Sequence, residues 1–434
     1  MSWMQEFAAD LLNDFNNCEL PLTRALLMCD QSYFIALRDA VQDLASGLTG
    51  EKRITEIHTI TAASYEKMRN SSSSTELAIW RRMYTDSSIV KALIEVAISA
   101  SAQAISTLDY AIIVAGATGE GRLDLIHRLV KKIQFAFWPG PCQAVAPSGS
   151  ISTLSSVHIL STAKHAIPEI STPPSLLSFQ SENSRHPFIL RNYADKWPAM
   201  TNHPWRSSRY LRAVAGPGRV VPVEVGNNYL ADDWKQVIMK WDDFLSSLEL
   251  EDQPLPCRSD EVLYLAQHDL FMQFPTLRGD IVIPDYAFAS LSYTDHSCYR
   301  PPGNDDHILL NAWLGPKATV SPAHTDPYHN LYVQLVGRKT VWLAPPSVSQ
   351  HMSRHRNTDQ VMEENAAKTM TSNTSDADVL SDGSCKSSFP TFWSQVVPTA
   401  MSATLKPGDL LFFPAGWWHA MRSEDTSFSM SIWF

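Results

Sequence analysis

From residue 219 onward the chain repeats one figure, a short apolar run stopped by Gly, Pro or a polar turn: "RVVPVEVG", "EVLYLAQ", "HILLNAWLG", "NLYVQLVG", "KTVWLAPP", "DLLFFPAG" and "SFSMSIWF". Runs this short, closed by turn residues, predict strands of an antiparallel sandwich or barrel. Upstream, "HPFILRNYADKWPAM" predicts a short strand and a Trp-Pro turn. Residues 353–388 break the series with a polar, Ser/Thr/Asp-rich stretch, expected to be a mobile surface insertion.

The first third obeys a different period. In "SIVKALIEVAISASAQAI" apolar residues recur at three- and four-residue steps, as one buried helix face requires. Residues 1–138 are therefore expected to form an all-helical domain, with Asp30 and Ser74 as N-caps and the serines at 71–74 as a helix–helix connection. "GATGEGR", residues 116–122, lacks the Gly-Lys-Ser/Thr ending of a phosphate loop and reads as a turn between helices. Residues 139–185, rich in Pro, Ser and Thr, are expected to be a linker or lead-in to a domain over 186–434.

At 434 residues, the chain is long enough for two domains, and its net charge of −10 lacks the basic footprint of a general nucleic-acid binder. The six cysteines are scattered without CxxC spacing, which predicts reduced thiols in an intracellular protein. "MSWMQEFAADLLNDFNN" has no basic region followed by an apolar core, so no signal peptide is expected. The apolar stretch 88–117 contains Lys91, Glu95, Gln103 and Asp109 and reads as a buried helix pair, with no membrane association expected.

The chemistry concentrates in two strand-like segments. In "SPAHTDPYHN", His324 and Asp326 stand two residues apart, so on an extended chain both side chains leave one face. "GDLLFFPAGWWH" describes a turn, a strand, a Pro-Ala-Gly reversal and His419 at the start of the return strand. Two imidazoles and a carboxylate form the facial triad of non-haem iron(II) oxygenases, with open positions on the metal; zinc would accept the same ligands. His329 competes as third ligand, but one short turn must strain to present three side chains facially. Lys339 is a point charge suited to a dicarboxylate, and Ser321, Asn330 and Tyr264 can satisfy remaining polar atoms.

The segments "PFILRNYADKWPAM", "VPVEVGNNY", "LYLAQHDLF", "DIVIPDY", "NAWLGPKATVSPAHTDPYHNLYVQLVGRKTVWL" and "LKPGDLLFFPAGWWHAMRSEDTSFSMSIWF" resemble the JmjC-domain oxygenases, in particular the small protein hydroxylases of the lysine-specific demethylase 8 (arginyl hydroxylase) type. The resemblance covers about residues 186–434, in order. It implies an α+β protein in which a helical N-terminal region precedes a double-stranded β-helix, the jelly-roll or cupin fold. It also implies that His324, Asp326 and His419 bind Fe(II), that Tyr264, Ser321, Asn330 and Lys339 bind 2-oxoglutarate, and that Trp313 lines the pocket. Glu224, with Tyr229 close by, is a candidate for holding a basic substrate side chain. The implied reaction is 2-oxoglutarate-dependent hydroxylation of an arginine or lysine side chain in a peptide or protein, or demethylation of an N-methyl group. The alternative is a catalytically silent cupin-like module that binds a peptide. The helical region is the expected place for a protein partner, and the resemblance implies nucleus and/or cytoplasm.

Overall fold

The computed structural model describes residues 2–17, 19–138, 160–226, 234–256, 261–291, 298–355, 373–381 and 388–434. The chain divides into two compact units, one of Met1–Ala144, Ala215–Val221 and Ile238–Asp242, the other of the remaining residues. The expected division placed 215–221 and 238–242 with the strands; side-chain bonds from the helices hold 215–221, and the Trp241 amide joins 238–242 to it by donating to the Arg219 carbonyl.

The first unit holds α1 (Ser2–Asn16), α2 (Pro21–Cys29), α3 (Gln31–Ala45), α4 (Ile54–Asn70), α5 (Ser74–Ala97), α6 (Ser101–Ala115) and α7 (Arg122–Phe137). Asp30 caps α3 by accepting from the amides of Ser32 and Tyr33, a contact that typically stabilises by about 1 kcal/mol. At α5 the cap is Ser73, one residue before the expected Ser74, because its hydroxyl reaches the Glu76 amide. The pair expected over 88–117 is the end of α5 followed by α6, buried on Leu93, Ile94, Ile105 and Leu108. Residues 116–121 connect α6 to α7, as the absence of the phosphate-loop lysine predicts. That turn delivers Arg122 to the fully buried Asp86, which also accepts from Arg82, each bond 2.6 Å. From α6, Asp109 takes Arg219 through Nε and Nη2 and accepts the Val220 amide at 2.8 Å. From α7, Gln134 donates to the carbonyls of Ala215 and Pro217. No described helix is long and apolar enough to cross a membrane.

The strands are β1 (His165–Ala166), β2 (Phe188–Leu190), β3 (Val220–Val225), β4 (Lys235–Lys240), β5 (Leu263–His268), β6 (Leu309–Gly315), β7 (Val320–Thr325), β8 (Asn330–Val336), β9 (Lys339–Ala344), β10 (Met401–Leu405), β11 (Leu410–Phe413), β12 (Trp418–Ser423) and β13 (Ser427–Trp433). They form a small sheet of order β1-β10-β9-β12-β7 and a large one of order β2-β11-β8-β13-β6-β5-β3-β4. Every neighbour for which pairing is resolved runs antiparallel except β1 and β10.

Both faces of the small sheet are covered, which is why β9 reads as a nearly continuous apolar run. Val341 and Leu343 pack inward against Tyr332, Leu411 and Phe413 of the large sheet. Trp342 and Ala344 pack outward with Trp418 and Ala420 against Val348, Met352, Phe392 and Val396. Each such aliphatic burial removes apolar area from water at a gain of about 2 kcal/mol. The described part of the expected lead-in joins this core: Ile167 is buried between the sheets, and Thr162 accepts from the Trp342 indole at 3.1 Å.

The expected mobile insertion is also partly built into the fold. Of its described residues, Thr374, Ser375, Ala377, Val379 and Leu380 are buried. Asn373 and Ser375 bond to β7, the edge strand of the small sheet. An edge strand presents unpaired amides and carbonyls, so a polar segment able to pair with them is ordered by backbone chemistry alone. Residues 356–372 and 382–387 lie outside the described residues.

Candidate metal centre

His324 and His419 are register partners across β7 and β12. Their rings therefore meet at 4.1 Å between centroids. Asp326 follows β7 directly, its carbonyl accepting from the Gly416 amide at 2.8 Å. Its Oδ2 lies 3.4 Å from His419 Nε2 and 3.9 Å from His324 Nε2. One ligand atom from each of the three falls within 4.8 Å of the others, the one such group of His, Cys, Asp or Glu found among the described residues.

The tautomers follow from the backbone. His324 Nδ1 is 2.8 Å from the Pro322 carbonyl and His419 Nδ1 is 3.1 Å from the Trp417 carbonyl. A carbonyl only accepts, so each Nδ1 carries the proton and each Nε2 turns its lone pair toward Asp326. Burial and the neighbouring His419 push the His324 imidazole down to about 4, against the pull of Asp326. Burial pushes the Asp326 carboxyl up, but the two imidazoles in their protonated forms outweigh it and lower it below its usual value. A divalent cation requires neutral imidazole and ionised carboxylate ligands, and the lowered values of His324 and Asp326 favour both states.

A β-bulge sets the position of Ser321. The β7–β12 register pairs His419 with His324 but Met421 with Ser321, so between these pairs one residue of β12, Ala420, faces two of β7, Pro322 and Ala323. Pro322 sits in the extra step, where a missing amide costs nothing. Both His324 and Ser321 thereby stand opposite interior-facing residues of β12, although an odd spacing would otherwise divide them between the faces.

Lys339 opens β9 and points between the sheets, where its Nζ donates to Tyr264 Oη at 3.2 Å and Tyr332 Oη at 3.0 Å. It is 2% exposed. Both partners are neutral hydroxyls, and burial without a compensating carboxylate among the described residues pushes the ammonium down to about 7. Tyr264 bonds to Ser321, and burial raises its phenol well above the usual range. An added Cβ at Gly315 would lie 2.6 Å from the Tyr264 ring, so β6 needs glycine where the ring crosses it. Trp313 leans on Tyr264, with centroids 6.3 Å apart, and donates to Ser431 at 2.8 Å. Lys339 pairs with Ser423 on β12, four residues beyond His419. At ~3.3 Å per residue the two backbone positions lie about 13 Å apart, a gap suited to a lysine stem followed by a short dicarboxylate.

Among the buried polar atoms with no hydrogen-bond partner in the described residues are Asp326 Oδ2, Asn330 Oδ1 on β8 and Asn311 Nδ2 on β6. Buried polar atoms are nearly always satisfied, so an acceptor at the triad and an amide donor and acceptor deeper between the sheets fit a cation together with a polar organic anion. Zinc remains compatible with the three ligands alone. The buried Lys339 and the amides beyond it answer to the second component.

Glu224 is the cross-strand partner of Tyr264. It is half-buried, and desolvation raises its carboxyl against the Trp234 hydrogen bond that lowers it. Tyr229 lies outside the described residues. His329 is not brought to the triad: its Nδ1 accepts from the Ala415 amide at 3.3 Å, and its ring stacks on Tyr299. His268 and His307 bond to Gln273 and to the Pro302 carbonyl, as structural histidines do. Sequence reasoning passed over Tyr332 and Asn311. Their signal was spacing: Tyr332 stands two residues after Asn330 on β8, and Asn311 two before Trp313 on β6. A separate cavity of about 220 Å³, lined by Pro322, Ala323, Asp376, Asp378 and Ala420 among others, lies on the outer side of β7. It takes in none of the triad.

Comparison with known proteins agrees with this geometry. The Cupin-like domain family matches residues 176–434. Jumonji C domain-containing protein 5 of Drosophila melanogaster is 38% identical over 276 residues, which are 63% of this chain and 61% of that protein. Lysine-specific demethylase 8 of Danio rerio is 38% identical over 263 residues, 60% of this chain and 56% of that protein. The human bifunctional peptidase and (3S)-lysyl hydroxylase JMJD7 is 26% identical over 286 residues, 62% of this chain and 84% of that protein. The match to the first two thus spans about three-fifths of their length.

Proposed function

We propose, since the chain belongs to the Cupin-like domain family and within it to the JmjC, lysine-specific demethylase 8 type, that it is an Fe(II)- and 2-oxoglutarate-dependent protein oxygenase. The observation that carries the proposal is the joint presence of the His324–Asp326–His419 triad, both histidines held by their Nδ1 atoms, and a buried lysine between the same two sheets. A peptide-binding module needs neither.

His324 Nε2, Asp326 Oδ2 and His419 Nε2 would hold the iron. Bound iron with 2-oxoglutarate supplies activation of dioxygen, coupling decarboxylation to succinate with hydroxylation of a C–H bond. Lys339 would take the far carboxylate of the cosubstrate, with Tyr264 and Tyr332 completing its hydrogen bonds and Ser321 orienting Tyr264. Asn330 and Asn311 offer an amide acceptor and donor to polar atoms in the same interior. Trp313 and the surrounding apolar side chains exclude water from it, so that Lys339 acts at low dielectric.

The substrate class is a peptide or protein presenting an arginine or lysine side chain. Glu224 supports this, because a half-buried carboxylate with raised proton affinity gains most from a guanidinium or ammonium partner. The relatives named as a lysine demethylase and a lysyl hydroxylase lead to the same class, with hydroxylation of the side chain or of an N-methyl group as the two outcomes. Its likeness to a lysine-specific demethylase supports the nucleus and/or cytoplasm as its compartment, and the helical unit would be the place for a protein partner.

The test is succinate formation from 2-oxoglutarate by purified protein with Fe(II) and ascorbate, with and without arginine- or lysine-bearing peptides. Succinate dependent on iron and absent from Lys339→Ala supports the oxygenase. A folded, iron-loaded protein that forms none would leave the peptide-binding module standing.

A further inference from the structure

We infer that Asn373 is a positioning residue for the ligand pair His324 and Asp326, acting through the peptide between them; this rests on the triad being the metal site. Thr325 is the residue that separates the two ligands, at the end of β7. On one side β12 faces it, with Trp418 as its register partner. On the other side Asn373 meets both of its backbone groups. The Asn373 carbonyl accepts the Thr325 amide at 3.0 Å, and the Asn373 side-chain Nδ2 donates to the Thr325 carbonyl at 2.9 Å.

In a regular antiparallel pair, two residues exchange backbone bonds in both directions. Here a side-chain amide makes the return bond, so it depends on this residue being asparagine. The next two residues of the segment anchor Asn373 in turn. The Ser375 amide donates to the Ala323 carbonyl at 2.8 Å, the Ser375 hydroxyl donates to the Met352 carbonyl, and the His355 amide donates to the Thr374 carbonyl at 2.9 Å. Beyond the pair, the Gly416 amide holds the Asp326 carbonyl. The backbone bearing both ligands is thus gripped from opposite sides.

The carbonyl of Thr325 belongs to the peptide that leads into Asp326. Releasing it lets that peptide rotate, which turns the Asp326 side chain relative to His324. Asn373 is exposed, so its truncation lets water reach the freed carbonyl and spares the fold. Its effect should appear in the metal site, not in global stability.

The test uses the full chain with Co(II) as probe, titrated by its visible absorption, in wild type, His324→Ala, Asn373→Ala, Asn373→Asp and Asn373→Gln. Thermal melting of each metal-free protein and hydrogen exchange of the peptide containing Thr325 accompany it. Asn373→Ala and Asn373→Asp should weaken Co(II) binding about tenfold, in the range of changes to groups that orient ligands. Exchange at Thr325 should rise and metal-free melting stay at the wild-type temperature, while Asn373→Gln, which keeps a donor, recovers part of the affinity. Wild-type affinity in both Ala and Asp variants would overturn the inference, and so would a loss of affinity matched by a loss of metal-free stability. In either case a His324→Ala variant that no longer takes up Co(II) leaves the triad reading intact. Wild-type protein that binds Co(II) no better than His324→Ala would instead bring down the triad reading, and the inference with it.

Discussion

Lys339 has two phenol hydroxyls for partners and almost no water, so the metal-free, cosubstrate-free protein holds it near its titration point, at about 7. A bound carboxylate favours the ammonium and raises that value, so binding takes up a proton whenever the lysine starts neutral. Below pH 7 the lysine is already charged and affinity for 2-oxoglutarate should not depend on this group. Above it, affinity should fall by about tenfold per pH unit until the pKa of the complex is reached. Calorimetry of 2-oxoglutarate binding to Mn(II)-loaded protein at several pH values, in buffers of different ionisation enthalpy, reads both the slope and the proton uptake. Lys339→Met should abolish the slope along with most of the affinity. His324→Ala should lose metal binding and turnover yet keep its melting transition, since the cross-strand ladder through residue 324 is made by backbone. The triad was legible from sequence because two of its members share one short segment and the third follows a Pro-x-Gly reversal. Tyr332 was not, because it is an ordinary aromatic in an apolar strand until Lys339 of the next strand reaches it.

Elements account for what patterning alone misjudged. The β8–β9 hairpin brings Lys339 into the interior through Gly337, whose φ is +66° and where an added Cβ would stand 2.1 Å from the Thr426 carbonyl oxygen. Gly337→Ala must move that backbone or unwind the turn, and should destabilise the protein by about 2 kcal/mol or more, read as a lowered urea midpoint. It should also weaken 2-oxoglutarate binding, because β9 begins two residues later. Strands were recognisable from apolar runs and turn residues. The bulge at Pro322 was not, since only the register of β12 shows that β7 spends an extra residue there. Residues 373–380 were misjudged for a related reason. A segment that pairs through amides and carbonyls needs no side-chain period, and its Ser, Thr and Asp residues look the same in a solvated loop.

At the scale of the whole molecule, the sequence showed a helical part followed by a stranded part, but not that the helical unit takes in two later segments of the chain. Asp109 is fully buried and accepts from Arg219 and from the Val220 amide. Asp109→Ala leaves the guanidinium buried without its carboxylate, and should cost about 3–5 kcal/mol in equilibrium unfolding. A pairing across 110 residues of sequence has no local signature in either partner. Its consequence concerns heredity and engineering alike. Residues 1–138 cannot be exchanged between relatives as a free-standing cassette, because the acceptor's residue 219 must suit the donor's residue 109. Descent should therefore change those two positions together or not at all, and a chimera that carries only one of them inherits a stranded charge.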